Sequence, residues 1–245
     1  MLRAVLLVLL VAPYTALATL IGIPLALLSG SVAPLYRLGH WGVRLALVLA
    51  GTRVVLEGRE RLGDGRNTVV ISNHASHLDA PALFDSLGVD FKAVVKKEIF
   101  AWPFLGRVLR RAGFVAVDRS DRIQAAQSLS RAAESLRAGA CFLVFAEGTR
   151  SRTGELGPFK KGGFVAAIEA GSRIVPVAVY GGRELMPKGG FRVRPGTVRV
   201  RVLDPVEAGS YSYDDRNRLV ADVHGKIARA LEELRAGSGG EPTAA

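Results

Sequence analysis

"TVVISNHASHLDAP", residues 68–81, passes from β-branched apolar residues straight into a polar loop. The run Thr68–Ser72, with Val69, Val70 and Ile71 at its centre and polar residues on either side, reads as a strand. Pro81 disfavours a helical conformation at Ala80, so a helix is expected to start close by. Strand, polar loop, helix is the repeating unit of an α/β domain. The same alternation extends outward on both sides. Strands are expected at 53–58, 68–72, 91–95, 114–117, 141–146, 174–180 and 197–203, and helices at 80–87, 103–112, 121–138, 161–171 and 213–236. The expected fold is α/β, with a mixed, largely parallel sheet flanked by helices. An N-terminal apolar membrane-anchoring helical segment precedes it.

That segment is the most apolar part of the 245 residues. No charged residue occurs from Ala4 to Tyr36. Residues 4–28 exceed the roughly 20 apolar residues that cross a bilayer. They also exceed the apolar part of a cleaved signal peptide, and no convincing small-residue cleavage site follows. Pro13 and Pro24 are expected to kink a helix there. A second patterned stretch, "WGVRLALVLAG", follows, with Trp41, Arg37 and Arg44 suited to a headgroup zone. Two geometries fit: one kinked span, or a helical hairpin that enters one leaflet and returns. Most nearby basic residues follow the apolar run, which places the main domain on the cytoplasmic side of the membrane. The expected organisation is an anchor over 1–50, a catalytic domain over 51–236 and a disordered tail over 237–245.

Net charge is +11, from 33 basic and 22 acidic residues. This favours an anionic partner: nucleic acid, membrane surface or phosphorylated substrate. No zinc-finger spacing or RNP-like aromatic run accompanies the charge, so nucleic acid is not expected. The single cysteine, Cys141, excludes an intramolecular disulfide and reads as a small core hydrophobe in an apolar strand.

The opening stretch holds His74, His77 and Asp79. His74 and Asp79 are five positions apart and would fall on different faces of an α-helix. They meet only if 74–79 is a loop that folds back at the helix start. The pair then suits a base and its orienter, with an N-cap as the plain role for Asp79. A metal site would need three or four ligands, and His40 and His224 lie outside the sheet-end loops. No metal is expected.

Three further loops carry candidate chemistry. "AGFVAVDRSD", 112–121, ends a strand in Asp118-Arg119, where a guanidinium can fork onto phosphate. "FAEGTRSRTGELGPFKKGG", 145–163, places Glu147, Gly148, Thr149 and Arg150 after a strand, with Lys160 and Lys161 beyond. It is a plausible anion cradle without P-loop spacing. "IVPVAVYGG" has Pro176 inside an apolar strand, which implies an edge position or a bulge.

Taken in order, "NHASHLD", "KKEIFAWPFLG", "GFVAVDR", "FAEGTRS" and "IVPVAV" resemble the glycerolipid acyltransferase family typified by 1-acyl-sn-glycerol-3-phosphate acyltransferase. The resemblance covers about residues 53–205. It implies acyl transfer from acyl-CoA or acyl carrier protein to the sn-2 hydroxyl of lysophosphatidic acid, giving phosphatidic acid in phospholipid biosynthesis. No resident cofactor is implied. By position, His74 is the implied general base and Asp79 its orienter. Lys97, Gly113, Arg119, Glu147, Gly148, Thr149 and Arg150 form the implied acceptor phosphate site, and Pro176 belongs to acyl or acceptor placement. Other acceptors in the same family are glycerol-3-phosphate and other lysophospholipids. From a different class, a non-catalytic membrane-tethered lipid-binding protein has the same anchor. An imidazole near its ordinary pKa can take a proton at pH 7, and a thiol leaving group permits direct attack by a hydroxyl. No nucleophile elbow is needed, and none is present. His77 has no role in this scheme and is expected to be dispensable.

Overall fold

The structure, a computed structural model, describes residues 2–101, 105–117, 122–187, 189 and 193–238. The elements are α1 (Leu2–Ser29), α2 (Ala33–Ala50), β1 (Thr52–Glu57), β2 (Thr68–Ser72), α3 (Asp79–Leu87), β3 (Phe91–Lys92), β4 (Val94–Lys96), α4 (Lys97–Phe100), α5 (Leu105–Arg111), β5 (Val115–Val117), α6 (Arg122–Arg137), β6 (Cys141–Phe145), α7 (Gly162–Ala170), β7 (Arg173–Tyr180), α8 (Gly182–Leu185), β8 (Gly196–Val202), β9 (Val206–Glu207) and α9 (Arg216–Ser238).

The main sheet has the order β1-β8-β7-β2-β6-β3, with β9 beside β7. β1 and β8, β7 and β2, β2 and β6, and β6 and β3 pair in parallel; β8 and β9 run antiparallel to β7. The sheet is therefore mixed and largely parallel, as its sequence pattern implies. Successive side chains on a strand point to opposite faces, and both faces here are covered. Val69 and Ile71 of β2 join Ile174 and Ala178 of β7 under α6, α7 and α9. Val70 of β2 joins Val175, Val177 and Val179 of β7 under α2 and α3. The apolar runs lack clear alternation because neither face meets water.

Two strands depart from expectation. The single strand expected at 91–95 divides: β3 pairs with β6 for two residues, and β4 leaves to pair with β5. The edge strand thus peels away from β6 just where an apolar cavity opens. Pro176 lies in the interior strand β7, not at an edge. Its side of β7 pairs with β9 at Arg173–Ile174 and with β8 only from Val177 onward. Pro176 occupies the interval between them, where no ladder donor is required. Its carbonyl still accepts the Leu203 N–H at 2.9 Å.

The N-terminal segment folds as a helical hairpin. α1 runs through Pro13 and Pro24, and the chain reverses after Ser29. The Tyr14 hydroxyl donates to the Leu38 carbonyl at 2.8 Å. Gly42 faces the Tyr14 ring and Gly22 faces Leu35, so the two helices run antiparallel at close range. At about 1.5 Å per residue, 28 residues reach about 42 Å. α1 is long and apolar enough to cross a membrane. Leu9, Leu17, Leu20 and Leu28 are exposed on it, Leu28 at 85%. α2 is two-sided: Leu47 and Ala50 are buried, whereas Trp41 is 71% exposed. Its inner side docks on α3, where His40 stacks on Phe84 at 4.3 Å and the Tyr36 hydroxyl donates to the Phe91 carbonyl at 2.9 Å. The final helix continues through Ser238, and residues 239–245 lie outside the described residues.

Candidate active site

Ligand sites of α/β sheets gather beyond the carboxyl ends of the strands. Here the loops after β2, β6 and β7 meet at that end. Asn73 leaves β2 with its amide paired to β7: Nδ2 donates to the Val179 carbonyl, and Oδ1 accepts the Val179 N–H, each at 2.8 Å. The side chain thereby extends the β2–β7 ladder by one step.

His74 follows. Its Nδ1 lies 2.9 Å from Asp79 Oδ2. The same oxygen accepts the N–H groups of Ala75 and Ser76, each at 2.7 Å. The loop is wrapped around one carboxylate oxygen, the folded-back form in which residues five apart can meet. Asp79 is 2% exposed and the His74 side chain 18%. Asp79 is the first residue of α3 and not its N-cap; Leu78 precedes it with no side-chain cap. The carboxylate turns back to the loop because three donors converge there. An acceptor-only carboxylate accepts a hydrogen bond from Nδ1–H, which leaves the Nε2 lone pair for a substrate. The His74 ring also stacks on Phe145 at 3.9 Å and 17°.

The β6 loop holds the His74 backbone. Glu147 Oε1 accepts the His74 N–H at 2.8 Å, and Oε2 accepts the Gly157 N–H at 3.1 Å. The Ser151 N–H donates to the His74 carbonyl at 2.7 Å. Gly148 has φ +72°, and a Cβ there would sit 2.7 Å from Lys160 Cε and Nζ. The Lys160 ammonium therefore lies across Gly148, beside the site. Thr149 is exposed, and Arg150 is half-buried.

Ser76, fully buried, links the loop to the segment after α8. Its hydroxyl donates to the Met186 carbonyl at 2.8 Å and accepts the Leu78 N–H at 3.2 Å. Gly182 packs against the dyad: a Cβ there would lie 2.7 Å from Asp79 Oδ1 and 3.0 Å from Ser76 Cβ.

A cavity of about 710 Å³ opens beside His74 and Gly148. Its walls are apolar: Tyr36, Gly39 and Val43 of α2, Phe84 of α3, Leu109 of α5, and Phe145. The N-terminal hairpin thus builds part of the site.

The expected site residues fall into distinct places. His74, Asp79, Glu147, Gly148, Thr149 and Arg150 come together at one sheet end. Arg119 and the side chain of Lys97 lie outside the described residues. Gly113 ends α5: it has φ +74°, its N–H reaches Arg110 O, and the Phe114 N–H reaches Leu109 O at 3.0 Å. This is a Schellman stop, which needs a residue tolerant of the left-handed region. Gly113 turns the chain so that Phe114 lines the cavity. Pro176 is buried in the sheet, paired with Ile71, and is not among the cavity-lining residues. His77 is largely exposed, and the partial burial of its ring, with the neighbouring Arg150 and His74, lowers its pKa. Burial pushes the Cys141 thiol up to about 12, away from nucleophilic use. Among the described residues, no group of three His, Cys, Asp or Glu side chains is arranged to hold a metal ion. Sequence reasoning missed Phe145, Ser76, Gly182 and the α2 wall. Only the glycine pair at 181–182, immediately after a strand, offered a local signal.

Known proteins resemble this chain in sequence and in fold. The family model Acyltransferase matches residues 53–180. A 1-acyl-sn-glycerol-3-phosphate acyltransferase of Limnanthes douglasii is 32% identical over 194 residues, which are 79% of this chain and 68% of that protein. The chloroplastic 1-acyl-sn-glycerol-3-phosphate acyltransferase LPAT1 of Arabidopsis thaliana is 35% identical over 74% of this chain, which spans about half (49%) of that protein's length. The crystal structure of the 1-acyl-sn-glycerophosphate (LPA) acyltransferase PlsC from Thermotoga maritima superposes with a TM-score of 0.71 at 27% identity, covering 93% of this chain and 96% of that one. With the family model spanning more than half of the chain and the fold shared almost end to end, this chain belongs to the glycerolipid acyltransferase family.

Proposed function

We propose that this protein transfers a fatty acyl group from an acyl thioester, acyl-CoA or acyl carrier protein, to the sn-2 hydroxyl of lysophosphatidic acid, forming phosphatidic acid for phospholipid synthesis. The observation that carries the proposal is a His74–Asp79 pair at the mouth of an apolar cavity of about 710 Å³. The names of the similar proteins supply the acceptor.

The chemistry follows from the pair. The acyl chain lies in the apolar cavity, which places the thioester carbonyl beside His74. His74 Nε2 takes the proton of the acceptor hydroxyl as its oxygen attacks that carbonyl. Asp79 holds the ring in the required tautomer and favours the imidazolium that forms. The tetrahedral intermediate collapses with loss of the thiolate, which recovers the proton. The reaction needs no resident metal or cofactor. Base catalysis contributes roughly 10²–10⁴-fold, and positioning supplies much of the remainder. Arg150, Arg119 and Lys97 are cations for the acceptor phosphate, with Gly148 and Thr149 in the same loop. α1 and the exposed side of α2 hold the site at a bilayer, with the domain on the cytoplasmic side. The basic balance adds attraction to anionic lipid.

The test uses the full chain in detergent with labelled acyl-CoA or acyl carrier protein. Lysophosphatidic acid, glycerol-3-phosphate and lysophospholipids with other head groups are offered in parallel. Transfer to lysophosphatidic acid, lost in His74→Ala, is the expected result. Transfer to none of them would leave a lipid-binding protein without turnover.

A further inference from the structure

We propose that Glu147 is a positioning residue that fixes the main chain of His74, and not a ligand of the acceptor phosphate. The inference rests on the acyl-transfer function proposed above and concerns how the base is held.

β2 lies between β7 and β6. Its last regular link to β6 is the Ala146 N–H on the Ser72 carbonyl, at 3.2 Å. Beyond that point the regular ladder ends, yet the chain after β2 remains tied on both sides. Toward β7 the tie is the doubly bonded Asn73 amide. Toward β6 it is Glu147, whose Oε1 takes the His74 N–H, followed by the Ser151 N–H on the His74 carbonyl. Both polar groups of the His74 backbone are thus satisfied by the loop after β6. With Nδ1 on Asp79 and the ring face on Phe145, the orientation of Nε2 is determined from four directions.

The second Glu147 oxygen is also occupied. Oε2 accepts the Gly157 N–H, and a Cβ at Gly157 would stand only 3.0 Å from it. Gly157 in turn offers its carbonyl to His224 Nε2 at 3.3 Å. Glu147 therefore closes the 147–157 loop on itself while holding His74. A carboxylate with both oxygens engaged by backbone donors has no donor to give a phosphate, and its charge opposes a dianion. Glu147 shares a sequence block with Arg150 because the brace and the cation sit on one loop.

Glu147→Gln keeps size but presents an amide N–H₂ to one of the two backbone donors. Glu147→Asp keeps the charge but is one methylene short. Both variants, in the full detergent-solubilised chain, are expected to lose kcat on the order of 10²-fold, the scale of an ångström misplacement of a reacting group. The KM for lysophosphatidic acid is expected to stay within a fewfold of wild type, whereas Arg150→Ala raises it. Hydrogen exchange at the His74 amide, read by NMR on labelled protein in micelles, is expected to accelerate in both variants. A raised KM with kcat retained would overturn the proposal, as would full activity in Glu147→Asp or unchanged exchange at His74. If Glu147→Gln does not fold, Glu147→Asp carries both measurements. A wild-type chain that transfers no acyl group would overturn the proposed function, and the exchange rates would still decide the Glu147 contact.

Discussion

Asp79 Oδ2 receives three donors, and this determines what substitutions there do. Asp79→Asn replaces an obligate acceptor by a group that can present N–H₂ to the same donors. It is expected to leave the fold cooperative but to lower kcat toward the His74→Ala level, roughly 10²–10⁴-fold below wild type. Asp79→Ala additionally strands the N–H groups of Ala75 and Ser76 in a buried loop, at about 1–3 kcal/mol for each donor left unpaired. Thermal melting alongside steady-state kinetics separates the two effects. His77→Ala is the companion measurement: its side chain is exposed and makes no part of the dyad. Activity and melting are expected to stay at wild-type values, and a large loss would bring His77 into the mechanism.

Among the elements, α8 and α2 act on the site without contributing a reacting group. Gly182, the first residue of α8, leaves room for Asp79 Oδ1 and Ser76. Gly182→Ala adds a carbon 2.7 Å from that oxygen, so Asp79 or α8 must move. The expected outcome is a fall in kcat on the order of 10- to 100-fold with the protein still folded. Unchanged kinetics would show that the dyad tolerates the shift. On α2, a Cβ at Gly39 meets nothing within 4 Å, and the residue lines the cavity. Gly39→Phe is expected to occupy cavity volume. Competition between acyl-CoAs of different length should then favour shorter chains than wild type does. An unaltered preference would place the acyl chain elsewhere.

At the scale of the molecule, the hairpin contains a helix long and apolar enough to cross a membrane, and it is also part of the folded core. Leu47 and Ala50 of α2 belong to the core beneath β7 and β8, and Tyr36 and His40 pack on α3. Burying a leucine side chain contributes roughly 1.5–3 kcal/mol. A chain beginning at Gly51 would lose several such contacts and one wall of the cavity together. It is expected to lack a cooperative melting transition and acyl transfer even in detergent. A folded, active truncated protein would mean that the hairpin serves attachment alone.

The sequence by itself determined features that depend on local chemistry. β-branched runs separated by helical periods require strands and helices in alternation, so the α/β class and a largely parallel sheet were legible. The apolar stretch 4–28, within an uncharged run from Ala4 to Tyr36, required an apolar helix. The interval from His74 to Asp79 lets the two side chains meet only in a folded-back loop before the helix that Pro81 announces, and that loop is present. Tertiary structure decided what depends on partners distant in the chain. Glu147 meets His74 across 73 positions, and Asn73 meets Val179 across 106. No periodicity encodes such pairings, because they arise only when parallel strands bring separate loops to one sheet end. Pro176 read as an edge or bulge residue because its missing donor is a local fact; the gap between β9 and β8 that accommodates it is not. The cavity likewise exists because β4 leaves β6 and α2 covers the opening. Each segment reports its own conformational preference, whereas the space between segments is set only by how they pack.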